Sequence, residues 1–326
     1  MSDTEPLLLD QENRFTLFPI TFEDVWRAYK NHKSLFWTAE EIDFVADMND
    51  WILLNDDEKY FISNILAFFA GSDGIVLENL LTNFCTEIKI PEIRCFYAFQ
   101  AMMENIHSEV YSLLIDVYIR DPIEKDRLFH GIQNIPCVSK KADWAIRWID
   151  RSRPFGLRLI AFAIVEGIFF SGSFCAIYWL KNRHLMSKAL GKSNEWIARD
   201  ESLHTQFAVL LYTRYIVHKV PVEEAHTIFR EAVMIEEEFI IDSLPCRLIG
   251  MNSDRMRQYI RYVADRLLVQ LGYAKIYHDT NPFDFMEKIS LDGKTNFFEE
   301  RVSEYQLSSQ VNQESLNFDF SDGEED

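Results

Sequence analysis

Apolar positions recur along the chain at the three- and four-residue spacing of an α-helix, and no stretch sustains the two-residue alternation of a β-strand. Prolines and clusters of small polar residues divide this pattern into segments, because proline suits the first helical turn and polar side chains cap helix ends. Capped helix starts are predicted at Thr21–Asp24 and Thr38–Glu41. The longer segments predicted to be helical are about 55–86, 91–120, 123–150, 154–182, 195–219, 221–245 and 254–272.

One apolar segment, residues 159–180, is long enough to cross a bilayer. Glu166 lies inside it, and an acid at the middle of a bilayer is costly unless it has a partner. The neighbouring segments are strongly charged. We therefore expect a fully buried helix whose acid meets a metal ion, in preference to a membrane span.

Two copies of the motif Glu-x-x-His each follow a lone acid on the preceding predicted helix, at a distance of 31 residues in the first copy and 35 in the second. Residues i and i+3 share a helix face, so each copy directs an oxygen and a nitrogen at one point. One copy alone would be weak evidence, but two copies in one arrangement are typical of four-helix bundles that bind two metal ions. The predicted ligands are Asp73, Glu104, His107, Glu166, Glu201 and His204.

The ligand spacing also predicts the architecture, an all-α bundle with a four-helix core. Antiparallel helices of about 25 residues bring positions roughly 30–35 residues apart to the same height. The two Glu-x-x-His motifs begin 97 residues apart, which leaves room for a long connection between two helical hairpins. Gly71 and Gly74 flank Asp73 in its helix. They indicate a kink or close packing, or backbone freedom that lets Asp73 reach a metal.

Carboxylates and imidazoles without thiolates suit iron or manganese better than a structural zinc. Six protein ligands for two ions leave coordination positions open, so reaction with dioxygen is one expectation. Tyr111 lies four residues after His107 and seven after Glu104, and therefore on the ligand face one turn beyond the metal. The spacing alone fits both a tyrosine packed in the core and a phenol that the centre oxidises.

Three apolar residues are candidates for the walls of a pocket around this phenol. Phe170 and Phe174 follow Glu166 by four and eight residues, and Ile197 precedes Glu201 by four. A helical stripe of this kind is usually core packing, so it supports the oxidised phenol without establishing it.

Composition excludes several classes of function. The formal net charge is −19 and basic residues are dispersed, which argues against nucleic-acid binding. No glycine-rich phosphate-binding motif is present, so nucleotide binding has no support. The five cysteines form no Cys-x-x-Cys pair, and the start shows no secretory signal pattern. These features predict a reduced, cytoplasmic protein, in the host cytoplasm if the source is a virus.

The composition changes after about residue 288, and no Lys or Arg follows Arg301. We expect a helical domain over residues 1–288, with 1–14 flexible, followed by a mostly disordered acidic tail over 289–326. Within the tail, Leu316, Phe318 and Phe320 form an apolar island that could bind a groove on another protein.

The chain resembles the small, radical-bearing di-iron subunit of class I ribonucleotide reductase, in its eukaryotic and large-DNA-virus form. This resemblance implies a ferritin-like fold, an oxo-bridged pair of iron ions and a homodimer that works with a large catalytic subunit to make deoxyribonucleotides for DNA replication. The motifs that carry it are FWTAEEID (36–43), FFAGSDGIVLENL (68–80), MENIHSEVYSLLID (103–116), PCVSKKADWAIRWI (136–149), VEGIFFSGSF (165–174), RDESLH (199–204) and KTNFFEERVSEYQ (294–306).

The resemblance also implies roles for individual residues. Tyr111 would carry a stable tyrosyl radical, Trp37 and Asp200 would join His107 in radical transfer, and Tyr305 would relay the radical toward the partner. The family's docking peptide usually ends at its final phenylalanine, whereas six residues follow Phe320 here. Two other interpretations are a stand-alone di-iron oxygenase or oxidase and a non-catalytic stabilising subunit.

Overall fold

The computed structural model describes residues 5–10 and 15–286, and every regular element in these residues is a helix, as the sequence predicted. Three 3-10 turns, Pro6–Leu8, Ala39–Glu41 and Cys246–Ile249, accompany the α-helices. The principal α-helices, numbered in chain order, are α1 (Glu23–Ser34), α2 (Met48–Leu53), α3 (Asp56–Asn79), α4 (Pro91–Tyr118), α5 (Pro122–Phe129), α6 (Gly131–Asn134), α7 (Pro136–Trp148), α8 (Phe155–Ile164), α9 (Ser171–Asn182), α10 (Leu190–Tyr215), α11 (Val222–Glu237) and α12 (Ser253–Leu271).

Wider π-helical turns interrupt or extend the helices at three places. Leu80–Phe84 extends α3, Val165–Phe169 joins α8 to α9, and Glu238–Ser243 extends α11. A π turn inserts one extra residue into a helix and is frequently found at functional sites. The second of these turns carries Glu166, one of the predicted metal ligands.

The core of the molecule lies between α3, α4, the α8–α9 rod and α10. Helix α3 packs along α4, α10 packs against both α8 and α9, and α4 meets α10 across the bundle. All ten residues of α8 are buried. Apolar side chains between these helices stabilise the bundle through the hydrophobic effect. The polar candidate ligands could not supply this stabilisation alone.

Two helices are long and apolar enough to span a membrane by length and composition, Asp56–Glu87 and Phe155–Asn182. In the second, 94% of the most apolar stretch is buried within the protein, and in the first 61%. Core helices of soluble proteins pass the same test, so this is weak evidence for a membrane. The burial around Glu166 agrees with the core helix expected from the sequence.

The predicted helix starts near the amino end are only partly correct. Helix α1 begins at Glu23 without a side-chain cap, because its N-cap residue is Phe22, which has no side-chain acceptor. The backbone N–H groups of Thr21 and Phe22 donate to Glu92 Oε1, at 2.7 and 3.2 Å. Thr38 does form a capping box with Glu41, but only the single 3-10 turn Ala39–Glu41 follows it. Local capping signals therefore mark a turn without fixing how far the helix continues.

The helical region predicted over about 123–150 consists of three helices, α5, α6 and α7. Pro136 begins α7, and proline disfavours helical geometry in the residue before it, so Ile135 is extended and separates α6 from α7. The start predicted at about residue 195 for the segment 195–219 is wrong, since α10 already begins at Leu190.

The glycines beside Asp73 differ in their surroundings. A Cβ atom on Gly71 would lie 2.8 Å from Ile132 Cγ1, so this position allows a close approach of α3 to α6. A Cβ atom on Gly74 would meet nothing within 4 Å. The close-packing explanation therefore holds for Gly71 alone.

The chain divides into two compact units, Met1–Pro282 and Phe283–Asp326. The first unit contains α1 to α12. Only Phe283–Met286 of the second is described, where the Met286 N–H donates to the Phe283 carbonyl. The predicted tail over 289–326, with its site residues Tyr305, Leu316, Phe318 and Phe320, lies outside the described residues, as do residues 1–4 and 11–14 of the segment expected to be flexible.

Candidate metal centre

The six predicted metal ligands converge at the centre of the bundle. Helix α3 supplies one, α4 two, the π turn between α8 and α9 one, and α10 two. Each is at most 3% exposed. Two overlapping sets of donor atoms form, each with all its atoms within 4.8 Å of one another: Asp73, Glu104 and His107 in one, and Glu104, Glu166, Glu201 and His204 in the other.

Both imidazole rings direct Nδ1 at the carboxylates. His204 Nδ1 lies 2.9 Å from Glu201 Oε2, 3.1 Å from Glu104 Oε1 and 3.4 Å from Glu166 Oε2. His107 Nδ1 lies 3.1 Å from Glu201 Oε1 and 3.5 Å from Glu104 Oε2. Glu104 and Glu201 therefore each contact both histidines, and would be the carboxylates shared by the two positions if two ions were bound.

The electrostatics of the cluster reflect crowded acids in a dry interior. Burial, and then the charge of Glu104, raises the pKa of Asp73 well above its usual range, and burial with the charges of Glu201 and Glu104 does the same for Glu166. Burial also acts to raise the pKa of Glu201, but contacts with His204 and His107 hold it well below its usual range. Protons or bound cations must neutralise such a group of carboxylates.

The donor atoms themselves test whether metal ions fit. Several are buried without a hydrogen-bond partner: Asp73 Oδ2, Glu104 Oε2, His107 Nδ1, Glu166 Oε2 and Glu201 Oε1. Buried polar atoms without partners cost free energy unless a ligand satisfies them. These atoms face one another within ion-pair distances, and oxygen and nitrogen donors suit iron or manganese. The residues therefore fit a site for two metal ions.

A buried chain of polar contacts leads outward from His107. Its Nε2 lies 3.2 Å from Asp200 Oδ2, and Trp37 Nε1 donates to the same oxygen at 2.7 Å. The rings of Trp37 and His107 are stacked, with centroids 5.9 Å apart. Burial acts to raise the pKa of Asp200, but the hydrogen bond to His107 and the charges of His107 and Arg199 together lower it below its usual value. Radical transfer was predicted for Asp200 on α10, His107 on α4 and Trp37 after α1, and these three side chains are in contact.

Tyr111 is buried beside the cluster, with 1% of its surface exposed and no hydrogen-bond partner for its hydroxyl. Burial raises the pKa of this phenol well above its usual range, and the negative charge of Asp73 acts in the same direction. Phe69 stacks on the ring, with centroids 4.5 Å apart and planes 7° from parallel. The phenol is therefore protonated and enclosed by apolar groups.

The predicted pocket residues are buried at different places around this phenol. Phe170 and Phe174 contact Phe69, with ring centroids 5.6 and 5.1 Å apart, and so enclose Tyr111 through it. Ile197 is buried on α10. The π turn that carries Glu166 changes the helical phase, which the four-residue spacing from Glu166 did not take into account.

Two neighbours of the candidate ligands, Gln100 and His32, and one neighbour of Tyr111, Phe69, were not predicted. Gln100 Nε2 lies 3.3 Å from Glu166 Oε1 and 3.5 Å from Glu104 Oε1. His32 Nε2, on α1, lies 3.3 Å from His204 Nε2. Gln100 precedes Glu104 by one turn and could have been found from that spacing. The contacts of His32 with His204 and of Phe69 with Tyr111 could not be found from sequence spacing, because each joins two different helices.

A buried ion pair was also missed. Lys141 Nζ lies 2.6 Å from Glu236 Oε2 and donates to the Phe169 carbonyl at 2.5 Å, while Gly172 N–H donates to Glu236 Oε1 at 3.2 Å. The ammonium also lies 3.7 Å from the ring centroid of Phe68. The pair thus binds backbone groups on both sides of the junction between the π turn and α9.

Comparison with known proteins places this geometry in a wider group. Residues 14–282 match the family model described as ribonucleotide reductase, small chain. A ribonucleoside-diphosphate reductase small chain of Trypanosoma brucei brucei is 59% identical over 322 residues, covering 97% of this chain and 95% of that protein. The protein of the same description from vaccinia virus (strain Ankara) is 57% identical over 320 residues, covering 97% of this chain and 100% of its own.

Solved structures agree with the architecture. The ribonucleotide reductase Rnr4 homodimer from Saccharomyces cerevisiae is 40% identical, with a TM-score of 0.81 and coverage of 93% of both chains. The dimanganese(II)-NrdF of Streptococcus sanguinis is similar in fold, with a TM-score of 0.70, 18% identity and coverage of 84% of this chain and 96% of its own.

Proposed function

Because the chain belongs to the small-chain family of ribonucleotide reductase, we propose that its buried carboxylates and imidazoles hold two iron ions and that Tyr111 stores the oxidising equivalent as a tyrosyl radical. The chain is a ribonucleoside-diphosphate reductase small subunit and serves the reduction of ribonucleotides to deoxyribonucleotides. The observation that carries the proposal is the convergence of six buried ligands beside a buried phenol.

In this proposal Asp73, Glu104 and His107 bind one ion, Glu166, Glu201 and His204 bind the other, and Glu104 and Glu201 contact both. Non-haem iron, when bound, supplies the electrons for reaction with dioxygen. The donor set also suits manganese. We propose iron as the resident metal.

Tyr111 contributes an oxidisable phenol that water and reductants do not reach. Its raised pKa keeps the hydroxyl protonated, so oxidation to the neutral radical removes one electron and the Oη proton together. Asp73 is the carboxylate whose charge acts most strongly on the phenol, and its Oδ2 has no hydrogen-bond partner. We propose Asp73 as the proton acceptor. Phe69 and the rings behind it exclude water from the radical.

Radical transfer to the partner uses the contacts around Asp200. An electron from Trp37 would pass toward the centre across the stacked rings of Trp37 and His107. Asp200 Oδ2 accepts the hydrogen bond of the indole Nε1 and holds both rings in place. We propose Tyr305 as a later step, on the basis of the motif that carries it.

The substrate site and the reducing thiols belong to a large subunit in this proposal. Reduction at the 2′ carbon needs a pair of thiols, and the cysteines of this chain form no Cys-x-x-Cys pair. We propose that Leu316, Phe318 and Phe320 dock in a groove of that subunit, and that this chain forms a homodimer in the cytoplasm. The homodimer of the similar yeast protein supports the proposed homodimer.

The experiment that tests the proposed function is reconstitution from purified components. The iron-loaded chain alone is expected to reduce no ribonucleoside diphosphate, and addition of a class I large subunit is expected to start turnover. Turnover by this chain alone would contradict the division of labour. Absence of turnover with a competent large subunit would contradict the assignment.

A further inference from the structure

The two histidine ligands have the same orientation but unlike partners behind them. Each directs Nδ1 at the carboxylates and Nε2 away from them. Behind His107 the partner is a carboxylate, Asp200 Oδ2, at 3.2 Å. Behind His204 the partner is a second imidazole, His32 Nε2, at 3.3 Å. His32 therefore occupies the place at His204 that Asp200 occupies at His107.

The contact between two imidazoles constrains which ring carries the proton. A metal bound at His204 Nδ1 requires that nitrogen to offer its lone pair, so the proton of the neutral ring is on Nε2. His204 Nε2–H can then donate to His32 Nε2, which acts as the acceptor. The opposite arrangement would place a proton on His204 Nδ1, among carboxylate oxygens, and would prevent metal binding there.

Packing holds His32 in this position. His32 is 1% exposed. Its ring lies edge-to-face against Phe99, with centroids 4.7 Å apart, and is tilted by 38° against Phe96, with centroids 5.2 Å apart. Helix α1, which carries it, packs against both α4 and α10. The acceptor is thus fixed by a helix that contributes no metal ligand.

We propose that His32 is a positioning residue for the metal ligand His204, and that it makes the two metal positions unequal. This inference rests on the proposed di-metal function. An anionic partner increases the basicity of a ligating imidazole more than a neutral one does. The ion at His107, which Asp200 supports, is therefore the more tightly held, and the ion at His204 is the more weakly held.

The test is binding of Mn²⁺ to the full-length, metal-free protein without oxygen, followed through the electron paramagnetic resonance signal of free Mn²⁺. Wild type is expected to bind two ions with unequal affinity. His32→Leu removes the acceptor at similar volume, and its weaker site is expected to lose about tenfold in affinity while the tighter site is unchanged. His32→Gln provides an amide oxygen as acceptor and is expected to restore the wild-type isotherm.

Two further variants separate positioning from general packing. Phe99→Leu replaces one ring contact of His32 with an aliphatic one and keeps its nitrogen. Because Phe96 still packs on the ring, this variant is expected to bind both ions as wild type does. His32→Met replaces the leucine variant if thermal unfolding shows that the latter does not fold. Two unchanged affinities in the leucine or methionine variant, or a glutamine variant as weak as these, would overturn the inference and leave the proposed function intact. A wild type that binds no pair of ions would overturn the proposed function itself.

Discussion

At the scale of single residues, Glu104 connects the two halves of the centre. It is the one residue common to both sets of donor atoms, and its two oxygens contact different histidines, Oε1 with His204 and Oε2 with His107. It is completely buried, so no water competes for these contacts. Asp73, in contrast, belongs to one set only.

This difference predicts different metal contents for two alanine variants. Glu104→Ala should weaken both positions, because a bridging oxygen donor is lost from each. Asp73→Ala should weaken the first position and leave the second able to bind. Metal analysis after loading and desalting should therefore give clearly less metal in Glu104→Ala than in Asp73→Ala. Equal metal contents would contradict the bridging role.

The ligands were predictable from sequence because their geometry is mostly local. Glu104 and His107 share a helix face whatever surrounds the helix, and so do Glu201 and His204. The position of His32 was not predictable, because its contact with His204 depends on how α1 packs across the bundle.

At the scale of elements, the junction of the π turn with α9 is stabilised from outside. The Phe169 carbonyl accepts from Lys141, and the Gly172 N–H donates to Glu236. A Cβ atom on Gly172 would lie 2.5 Å from Glu236 Oε1, so glycine is needed for this approach. The ion pair thus supports the segment that carries Glu166.

Removal of one partner of this pair should be costly. Lys141→Met leaves the carboxylate of Glu236 buried beside apolar rings, and we expect a loss of about 3–5 kcal/mol in the free energy of unfolding. Lys141→Met with Glu236→Leu should cost less than the two single changes together, because no charge stays unpaired. Urea unfolding of the metal-free protein measures both. Additive costs would contradict the coupling.

The same pair predicts a dependence of stability on pH. Burial lowers the pKa of Lys141 to about 8 and raises that of Glu236 to about 7. From pH 4.5 to 7 the folded protein holds a proton on Glu236 that the unfolded chain releases, so this contribution to stability falls as pH rises. From pH 8 to 10.5 the unfolded chain holds the extra proton on Lys141, so the contribution rises with pH.

The thermal midpoint of unfolding should be measured against pH for the metal-free wild type and for the double variant Lys141→Met, Glu236→Gln. The quantity of interest is the wild-type midpoint minus the midpoint of the double variant. The difference should fall over the acidic window and rise over the alkaline one. A difference that does not vary with pH would show that neither group titrates as described.

Element boundaries were less predictable than element type. The apolar spacing was sufficient to predict helices, since the three- and four-residue spacing of apolar positions continues through each long segment. It could not indicate π turns such as Val165–Phe169, where one inserted residue depends on bonds from Lys141 and Glu236 on other helices. Nor did it separate α6 from α7, although Pro136 was a local signal for that break.

At the scale of the whole molecule, the chain is one part of a larger enzyme. The described residues provide a buried cluster of candidate metal ligands and a polar path from it to Trp37. The all-α architecture and the family membership were both predictable. The spacing of the candidate ligands predicted the bundle, and the seven matching motifs extend over most of the chain. The homodimer and the docking tail stay predictions.

Deletion of residues 307–326 tests the tail. If its apolar island docks on the large subunit, the truncated chain should keep its radical and lose activity with the partner, because formation of the radical uses only the bundle. Radical resonance and turnover should be measured on one preparation. Full activity of the truncated chain would rule out docking through the tail, and a lost radical would point to a role in the bundle instead.

If six buried ligands hold two metal ions beside Tyr111, this phenol should be oxidised when the iron-loaded protein meets dioxygen. The most direct measurement is electron paramagnetic resonance after anaerobic loading with ferrous iron and exposure to air. Wild type should give a tyrosyl radical signal that narrows when the tyrosine rings are deuterated, and Tyr111→Phe, loaded with the same amount of iron, should give none. The same signal in Tyr111→Phe, or none in the iron-loaded wild type, would contradict the account.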